Sequence, residues 1–120
     1  MHVVVELPGF VAAAKEAGLS DDARTRIIDR VAGRPDAGDV IPGTGGARKV
    51  RFAGRGKGKS GGYRVITFYT GLELPVFLIT LFSKGERIDL SQDERNAMRS
   101  ELAGLARDYR RGVTRHVRSR

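Results

Sequence analysis

The segment at residues 53–62 reads AGRGKGKSGG and places three basic side chains among five glycines, a composition suited to binding phosphate. The phosphate-binding loop of NTPases, G-x-x-x-x-G-K-[ST], does not fit, because Ala53 stands where its first glycine belongs. A dinucleotide pattern, G-x-G-x-x-G, fits residues 56–61, but that site needs a helix after the loop, and the following YRVITFY predicts a strand. The segment therefore favours the phosphates of a polymer over those of a nucleotide.

Positive charge is concentrated around this segment. The chain has 22 Lys and Arg against 14 Asp and Glu, a net charge of +8, so its field attracts polyanions such as nucleic acid or an acidic protein. Residues 40–72 contain no acidic side chain, and their basic ones are Arg48, Lys49, Arg51, Arg55, Lys57, Lys59 and Arg64. A hairpin would bring Arg51 and Arg64 towards the loop and form a concave basic surface for a sugar-phosphate backbone. The alternative is a solvated loop with no ligand.

The remaining composition narrows the class of protein. A chain of 120 residues with 40% hydrophobic content predicts one domain with a modest core, over residues 1–110, followed by an Arg-rich tail at 111–120. The absence of cysteine excludes disulfides, thiol nucleophiles and Cys-ligated zinc, and we expect no metal or other cofactor. The longest apolar run, residues 74–82, is far shorter than the roughly 20 residues of a spanning helix, and no N-terminal signal precedes it. We expect a soluble, cytoplasmic protein with no membrane partner.

Periodicity and capping residues predict the N-terminal elements. Residues 2–7 form a β-branched run typical of a strand, and Pro8 begins a helix that Gly18 ends. Ser20 caps a second helix, which stops at Gly33 and Pro35. The apolar stripe of this helix consists of Ala23, Ile27, Ile28 and Val31.

Three strands and a long helix are predicted downstream. Residues 49–52 alternate polar and apolar side chains as a half-buried strand does, and residues 63–70 form the next strand after the basic loop. Residues 75–82 are almost continuously apolar, which predicts a central strand covered on both faces. Ser91 and Glu94 form a capping box for the last helix, whose apolar stripe is Met98, Leu102, Leu105 and Tyr109.

The motifs around the basic loop resemble those of a known protein family. The string GDVIPGTGGARKVR at residues 38–51, the loop KGKSGGYR at 57–64 and the turn FSKGE at 82–86 are similar to motifs of the RelE/ParE superfamily of bacterial toxins, in its HigB-like branch. The resemblance implies a RelE-like α+β fold, with an antiparallel sheet of about four strands, two N-terminal helices and a C-terminal helix. It also implies a ribosome-dependent mRNA endonuclease, monomeric when free and hetero-oligomeric with its cognate antitoxin.

The resemblance also implies a set of site residues. By motif, the catalytic positions are Arg51, Lys57, Lys59, Arg64 and Lys84, and the RNA-binding positions are Arg48, Lys49, Arg55 and Tyr63. Such a site can work without a metal, because a lysine among other cations has a lowered pKa and can serve as general base for the ribose 2′-hydroxyl. An arginine fork can stabilise the charged transition state. The three lysines are the candidate bases.

One position departs from the better-known relatives, several of which carry Tyr or His after the last strand. Ser91 stands there in this chain, so the proton-transfer or base-stacking role is unassigned. Tyr63 is a candidate both for stacking and for core packing. Tyr109 lies on an apolar stripe and is expected to pack, and His2 and His116 are expected to be ordinary surface residues.

Two further functions therefore stay open. One is a non-enzymatic basic toxin of the ParE type, which binds RNA or a protein target. The other is an inactive remnant that only binds its partner. For the antitoxin, we expect attachment to the apolar stripes of the two N-terminal helices.

Overall fold

The fold consists of five strands and three helices within the residues that the computed structural model describes, which are 2–53, 62–71, 73–83 and 90–118, with side chains to residue 112. These elements are β1 (Val4–Glu6), α1 (Pro8–Glu16), α2 (Asp21–Gly33), β2 (Asp39–Val40), β3 (Ala47–Phe52), β4 (Tyr63–Phe68), β5 (Val76–Ser83) and α3 (Gln92–Arg118). The backbone of α3 thus continues into the Arg-rich segment. Among the described helices, none combines the length and apolar composition needed to cross a membrane.

The five strands form one mixed sheet in the order β1-β5-β4-β3-β2. The pairs β2–β3, β3–β4 and β4–β5 are antiparallel, whereas β1 pairs with β5 in parallel. The predicted α+β class is confirmed, but the sheet has five strands and is not wholly antiparallel. The differences lie at its two edges. β2 is only two residues long in a turn-rich segment, and the pairing of β1 with β5 is a long-range contact that no local pattern encodes.

Side-chain caps begin α2 and α3 at the predicted residues. The hydroxyl of Ser20 accepts a hydrogen bond from the backbone N–H of Ala23 at 3.1 Å. Before α3, the N–H of Glu94 donates to Ser91 Oγ at 3.1 Å, and the N–H of Ser91 donates to Glu94 Oε1 at 2.8 Å. These reciprocal bonds confirm the predicted capping box.

Hydrophobic side chains cover both faces of the sheet. On the side covered by α1 and α2, the buried residues are Phe10, Ala14, Ile27, Val31, Val65, Val76, Leu78 and Leu81. On the side covered by α3, they are Ile41, Ala47, Ile66, Phe68, Leu74, Phe77, Leu102 and Ala106. We call these the α1/α2 side and the α3 side. β5 contributes to both cores, which confirms its prediction as a central strand.

A buried threonine and neighbouring glycines form the turn that leads into β3. Thr44 is fully buried, and its hydroxyl donates to the carbonyl of Ile41 at 2.7 Å and accepts from the N–H of Ala47 at 3.1 Å. Gly46 has a φ of 131°, and a Cβ there would lie 3.1 Å from the Phe68 ring, so any larger residue is strained. The GTGG part of the motif therefore positions the start of β3.

Candidate nucleic-acid interface

The loop ends of β3 and β4 bring two of the predicted site residues together. Arg51 lies directly opposite Arg64, and the next pair towards the loop is Phe52 with Tyr63. Directly opposed residues in an antiparallel pair have Cβ atoms about 4.5–5.5 Å apart. Arg51 is exposed and Arg64 is half-buried. The hairpin therefore places the two arginines at directly opposed positions, where both line one cleft, and the expected pairing of their strands is confirmed.

Alternation along the strands assigns this pair to the α3 side of the sheet. Arg64 lies two positions before Ile66, a residue of the α3-side core, and Arg51 shares its side as its direct partner. Lys49 opposes Ile66 and lies on the same side. On β5, Phe82 opposes Arg64 and packs against the α3-side core. We call Lys49, Arg51, Arg64 and Phe82 the basic face.

The opposite side of the same hairpin end is the packed face, formed by Arg48, Phe52 and Tyr63. Phe52 and Tyr63 are half-buried and pack against the α1/α2-side core. The guanidinium of Arg30, on α2, lies 5.5 Å from the centre of the Phe52 ring. Arg48 Nη1 donates to the backbone carbonyl of Asp36 at 3.0 Å, which ties the segment after α2 to β3. The predicted RNA-binding residues Arg48 and Tyr63 thus contact other parts of the protein on the opposite side of the sheet from Arg51 and Arg64, although Tyr63 also lines a cleft with these two arginines.

The electrostatics of the arginine pair favour an anion. Neither Arg51 nor Arg64 forms an ion pair with any described residue. By contrast, Arg24 Nη2 donates to Glu6 Oε2 at 2.7 Å, and this hydrogen bond, together with the carboxylate charge, raises the pKa of Arg24 above its ordinary value. Like charges placed directly opposite each other destabilise a sheet, and an anion bound between them would relieve that repulsion.

A cleft of about 370 Å³ opens at this end of the hairpin. Its lining residues are Arg51, Phe52, Ala53, Gly62, Tyr63 and Arg64. Gly62 allows β3 and β4 to approach closely, because a Cβ at this position would collide with the carbonyl oxygen of Phe52. The second glycine of the GG pair in the loop motif therefore supports the spacing of the arginine pair.

The remaining residues singled out from the sequence lie either outside the described residues or in packed positions. Arg55, Lys57, Lys59 and Lys84 lie outside the described residues, as does the side chain of His116. The ring of Tyr109 packs edge-on against the ring of Phe77, with the ring centres 5.8 Å apart, which confirms the predicted packing role of Tyr109. His2 is more engaged than predicted, because it is half-buried and its Nε2 lies 2.6 Å from the carbonyl oxygen of Leu74.

Sequence reasoning overlooked Phe82 as a surface residue of this face and treated it only as the end of a buried strand. The available signal was the alternation at the end of β5, where Phe82 precedes Ser83 and Lys84. Its position beside Arg64, however, depends on the register between β4 and β5. A bulge between Ile66 and Thr67 interrupts that register, so counting residues along the strands does not predict it.

The apolar stripes of α1 and α2 are used inside the protein. Phe10 and Ala14 on α1, and Ile27 and Val31 on α2, are each at most 2% exposed. These four residues fill the α1/α2-side core, which contradicts the expectation that the buried part of the stripes contacts an antitoxin, and attachment elsewhere on the two helices stays a prediction.

Comparison with known proteins assigns the family. Residues 6–115 match the family described as the RelE toxin of the RelE / RelB toxin-antitoxin system. The chain belongs to the RelE toxin family. Among solved structures, a mutant of the E. coli toxin RelE in the free state is similar to this RelE-family toxin, with 18% sequence identity and a TM-score of 0.48. That similarity covers 70% of this chain and 84% of the E. coli chain.

The family match establishes this RelE-family toxin as the toxin member of a toxin-antitoxin pair. The matched region includes all four residues of the basic face and most of α3. The arginine pair therefore lies within the part of the chain that matches the family.

Proposed function

We propose that this RelE-family toxin inhibits translation by cleaving mRNA held in the ribosome. The observation that carries the proposal is the arginine pair, in which Arg51 and Arg64 are directly opposed and have no ion-pair partner among the described residues. Two planar guanidinium groups at this spacing can donate to the non-bridging oxygens of one phosphodiester. The motif at residues 38–51 supports placing the toxin in the HigB-like branch.

The proposed reaction uses the RNA's own 2′-hydroxyl. A base removes the proton of this hydroxyl, the 2′-oxygen bonds to the adjacent phosphorus, and the bond to the 5′-oxygen breaks as that oxygen gains a proton. The products are a 2′,3′-cyclic phosphate end and a 5′-hydroxyl end. Arg51 and Arg64 stabilise the negative charge that develops on the phosphoryl oxygens, a role in which one contact is worth on the order of 10² in rate.

Lysines are the proposed proton carriers. Lys57, Lys59 and Lys84 lie outside the described residues, and their assignment rests on the motifs that surround Arg64 in the sequence. A lysine among like charges has a lowered pKa, because repulsion disfavours the ammonium form, and it can then act as a base near neutral pH. Lys49 and Arg55 would hold the flanking backbone by charge alone. The scheme uses no metal or other cofactor.

The ribosome is the proposed source of substrate alignment. Holding the 2′-oxygen, phosphorus and leaving oxygen in line can contribute about 7–11 kcal/mol, and a few cationic side chains offer little to enforce that geometry. We therefore propose that the toxin acts in the cytoplasm as a monomer and is silenced when its antitoxin forms a hetero-oligomer with it.

The test compares one mRNA free in solution and held in the A site of a programmed ribosome. We expect cleavage with a 2′,3′-cyclic end only on the ribosome, measured in single-turnover reactions. A 2′-deoxy substitution at the cleaved nucleotide should abolish it, which checks the 2′-oxygen attack. Equal cleavage rates for free and ribosome-bound mRNA would contradict the proposed dependence.

A second candidate function, a ParE-type toxin that binds its target without cleaving RNA, is favoured by one observation. Ser91 stands where several relatives carry Tyr or His, and its hydroxyl and N–H are engaged with Glu94 in the cap of α3. This position therefore provides no ring for stacking or proton transfer. Growth inhibition by the wild-type toxin without any mRNA cleavage would select this candidate.

A further inference from the structure

We infer that Phe82 is the stacking platform for a base of the RNA held at the arginine pair, an inference that rests on the proposed function. Arg51 opposes Arg64 across β3 and β4, and Phe82 opposes Arg64 across β4 and β5. The three side chains therefore form a row across three neighbouring strands, on one side of the sheet. The two arginines of the row can bind a phosphate, and the ring of Phe82 can stack on a base.

The spacing of the row allows one nucleotide to contact all three side chains. Neighbouring strands lie about 4.7–4.9 Å apart, so Phe82 is one strand from Arg64 and two from Arg51. Across the strands the order is therefore Arg51, Arg64, Phe82. A phosphate bound by the two arginines has the phenyl ring of Phe82 next to it, beyond Arg64. The sugar and base attached to that phosphate can reach across this short distance.

Phe82 combines an anchored ring with an accessible surface. It packs against the α3-side core and is half-buried, so the side chain is anchored and still partly accessible to solvent. A rigid ring loses little conformational entropy when a base stacks on it. Proteins that bind single-stranded RNA commonly use such rings, and stacking is worth about 1–3 kcal/mol per base.

The other described aromatic side chains do not compete for this role. Phe52 and Tyr63 line the same cleft as the arginine pair, but they belong to the packed face and pack against the α1/α2-side core. Phe10, Phe68 and Phe77 are buried, Tyr109 packs against Phe77, and Tyr69 packs against the α1/α2-side core and the His2 ring. Within the described part of the chain, the basic face therefore has one aromatic ring, and Phe82 takes the stacking role that Ser91 leaves unfilled.

A single introduced fluorophore tests the stacking directly. The chain contains no tryptophan, so a Phe82→Trp variant reports on this position alone. We expect a short single-stranded RNA oligomer at low salt to quench its emission, and an abasic oligomer of equal length to leave it unchanged. A Val11→Trp variant is the control, because Val11 is 39% exposed on α1, across the sheet from the row. Unquenched emission of the Phe82→Trp variant, or equal quenching by both oligomers, would overturn the inference.

Cleavage on programmed ribosomes provides the second measurement. Phe82→Leu keeps an apolar side chain against the core and removes the ring, so we expect single-turnover cleavage to fall by about tenfold or more. Phe82→Tyr, which keeps the ring, should cleave within about twofold of wild type. Thermal unfolding of both variants checks that the fold is intact. Wild-type cleavage by Phe82→Leu would contradict the stacking role.

The two measurements separate this inference from the proposed function. If wild-type toxin cleaves ribosome-bound mRNA and the Phe82→Trp variant shows no base-dependent quenching, the stacking role is rejected and the proposed function stands. If base-dependent quenching occurs but wild-type toxin cleaves nothing, the proposed function is rejected and Phe82 is the platform of a binding site.

Discussion

On the packed face of the β3–β4 hairpin, Arg48 donates to a backbone carbonyl and Tyr63 packs against the α1/α2-side core. On the basic face of the same hairpin, Arg51 and Arg64 lie side by side with no ion-pair partner among the described residues. Both faces hold arginine, and both have an aromatic ring close by. Composition therefore does not distinguish a structural arginine from one that is available to a ligand.

The arginines of the two faces differ in their contacts because the helices extend to different distances over each face. On the α1/α2 side, Arg30 of α2 reaches Phe52 at the loop end of the hairpin. On the α3 side, the buried residues of β3 and β4 are Ala47, Ile66 and Phe68, all farther from the loop than the arginine pair. At this hairpin end α2 thus contacts the packed face, whereas on the basic face Arg51 is exposed and Arg64 is half-buried.

The largest expected effect separates the arginines of the two faces. Arg64→Ala should lower single-turnover cleavage of ribosome-bound mRNA by about 10²-fold, because it removes a cation from the transition state. Arg48→Ala should cleave at nearly the wild-type rate and should lower the melting temperature, because the bond to the Asp36 carbonyl is lost. Similar losses of cleavage in the two variants would show that the faces do not differ as described.

Substitutions on the packed face should lower the free energy of unfolding more than substitutions on the basic face. Tyr63→Ala removes a half-buried ring from the α1/α2-side core, and we expect it to lower the free energy of unfolding by about 2 kcal/mol. Arg64→Ala should change it by only about 0.5 kcal/mol, because the half-buried Arg64 forms no ion pair with any described residue. Urea denaturation of both variants measures this difference. A Tyr63→Ala variant as stable as wild type would remove the packing role assigned to Tyr63.

The smallest effect concerns the salt dependence of ribosome binding. Each phosphate contact to single-stranded RNA contributes about 0.7 to the slope of log affinity against log salt. Lys49→Gln should reduce the slope by at most this amount, since Lys49 lies on the basic face but is also the strand neighbour of Asp39. Arg48→Gln should leave the slope unchanged. A smaller slope for Arg48→Gln with an unchanged slope for Lys49→Gln would place the contacts to the RNA backbone on the packed face.

Local sequence determined the three helices, four of the five strands among the described residues, and the residues that begin α2 and α3. Ser20 and the Ser91–Glu94 pair begin helices where the capping pattern predicts, because a cap involves residues only three positions apart. The strand before the basic loop is predicted by alternation and the strand after it by β-branched and aromatic residues, and a hairpin needs only neighbouring segments to bring Arg51 and Arg64 together. The class of fold and the pairing of Arg51 with Arg64 follow from such short-range rules.

Only the tertiary structure decided which face of each strand is covered. Alternation shows that Arg48 and Arg51 point to opposite sides, but both are cations beside apolar residues, and their local patterns are alike. Their roles depend on where α2 and α3 pack, and the place of Phe82 beside Arg64 depends on the register across a bulge. The parallel pairing of β1 with β5 is likewise a contact between distant segments. Such contacts arise from packing of the whole chain, since a strand's own residues specify its two faces but not its neighbours.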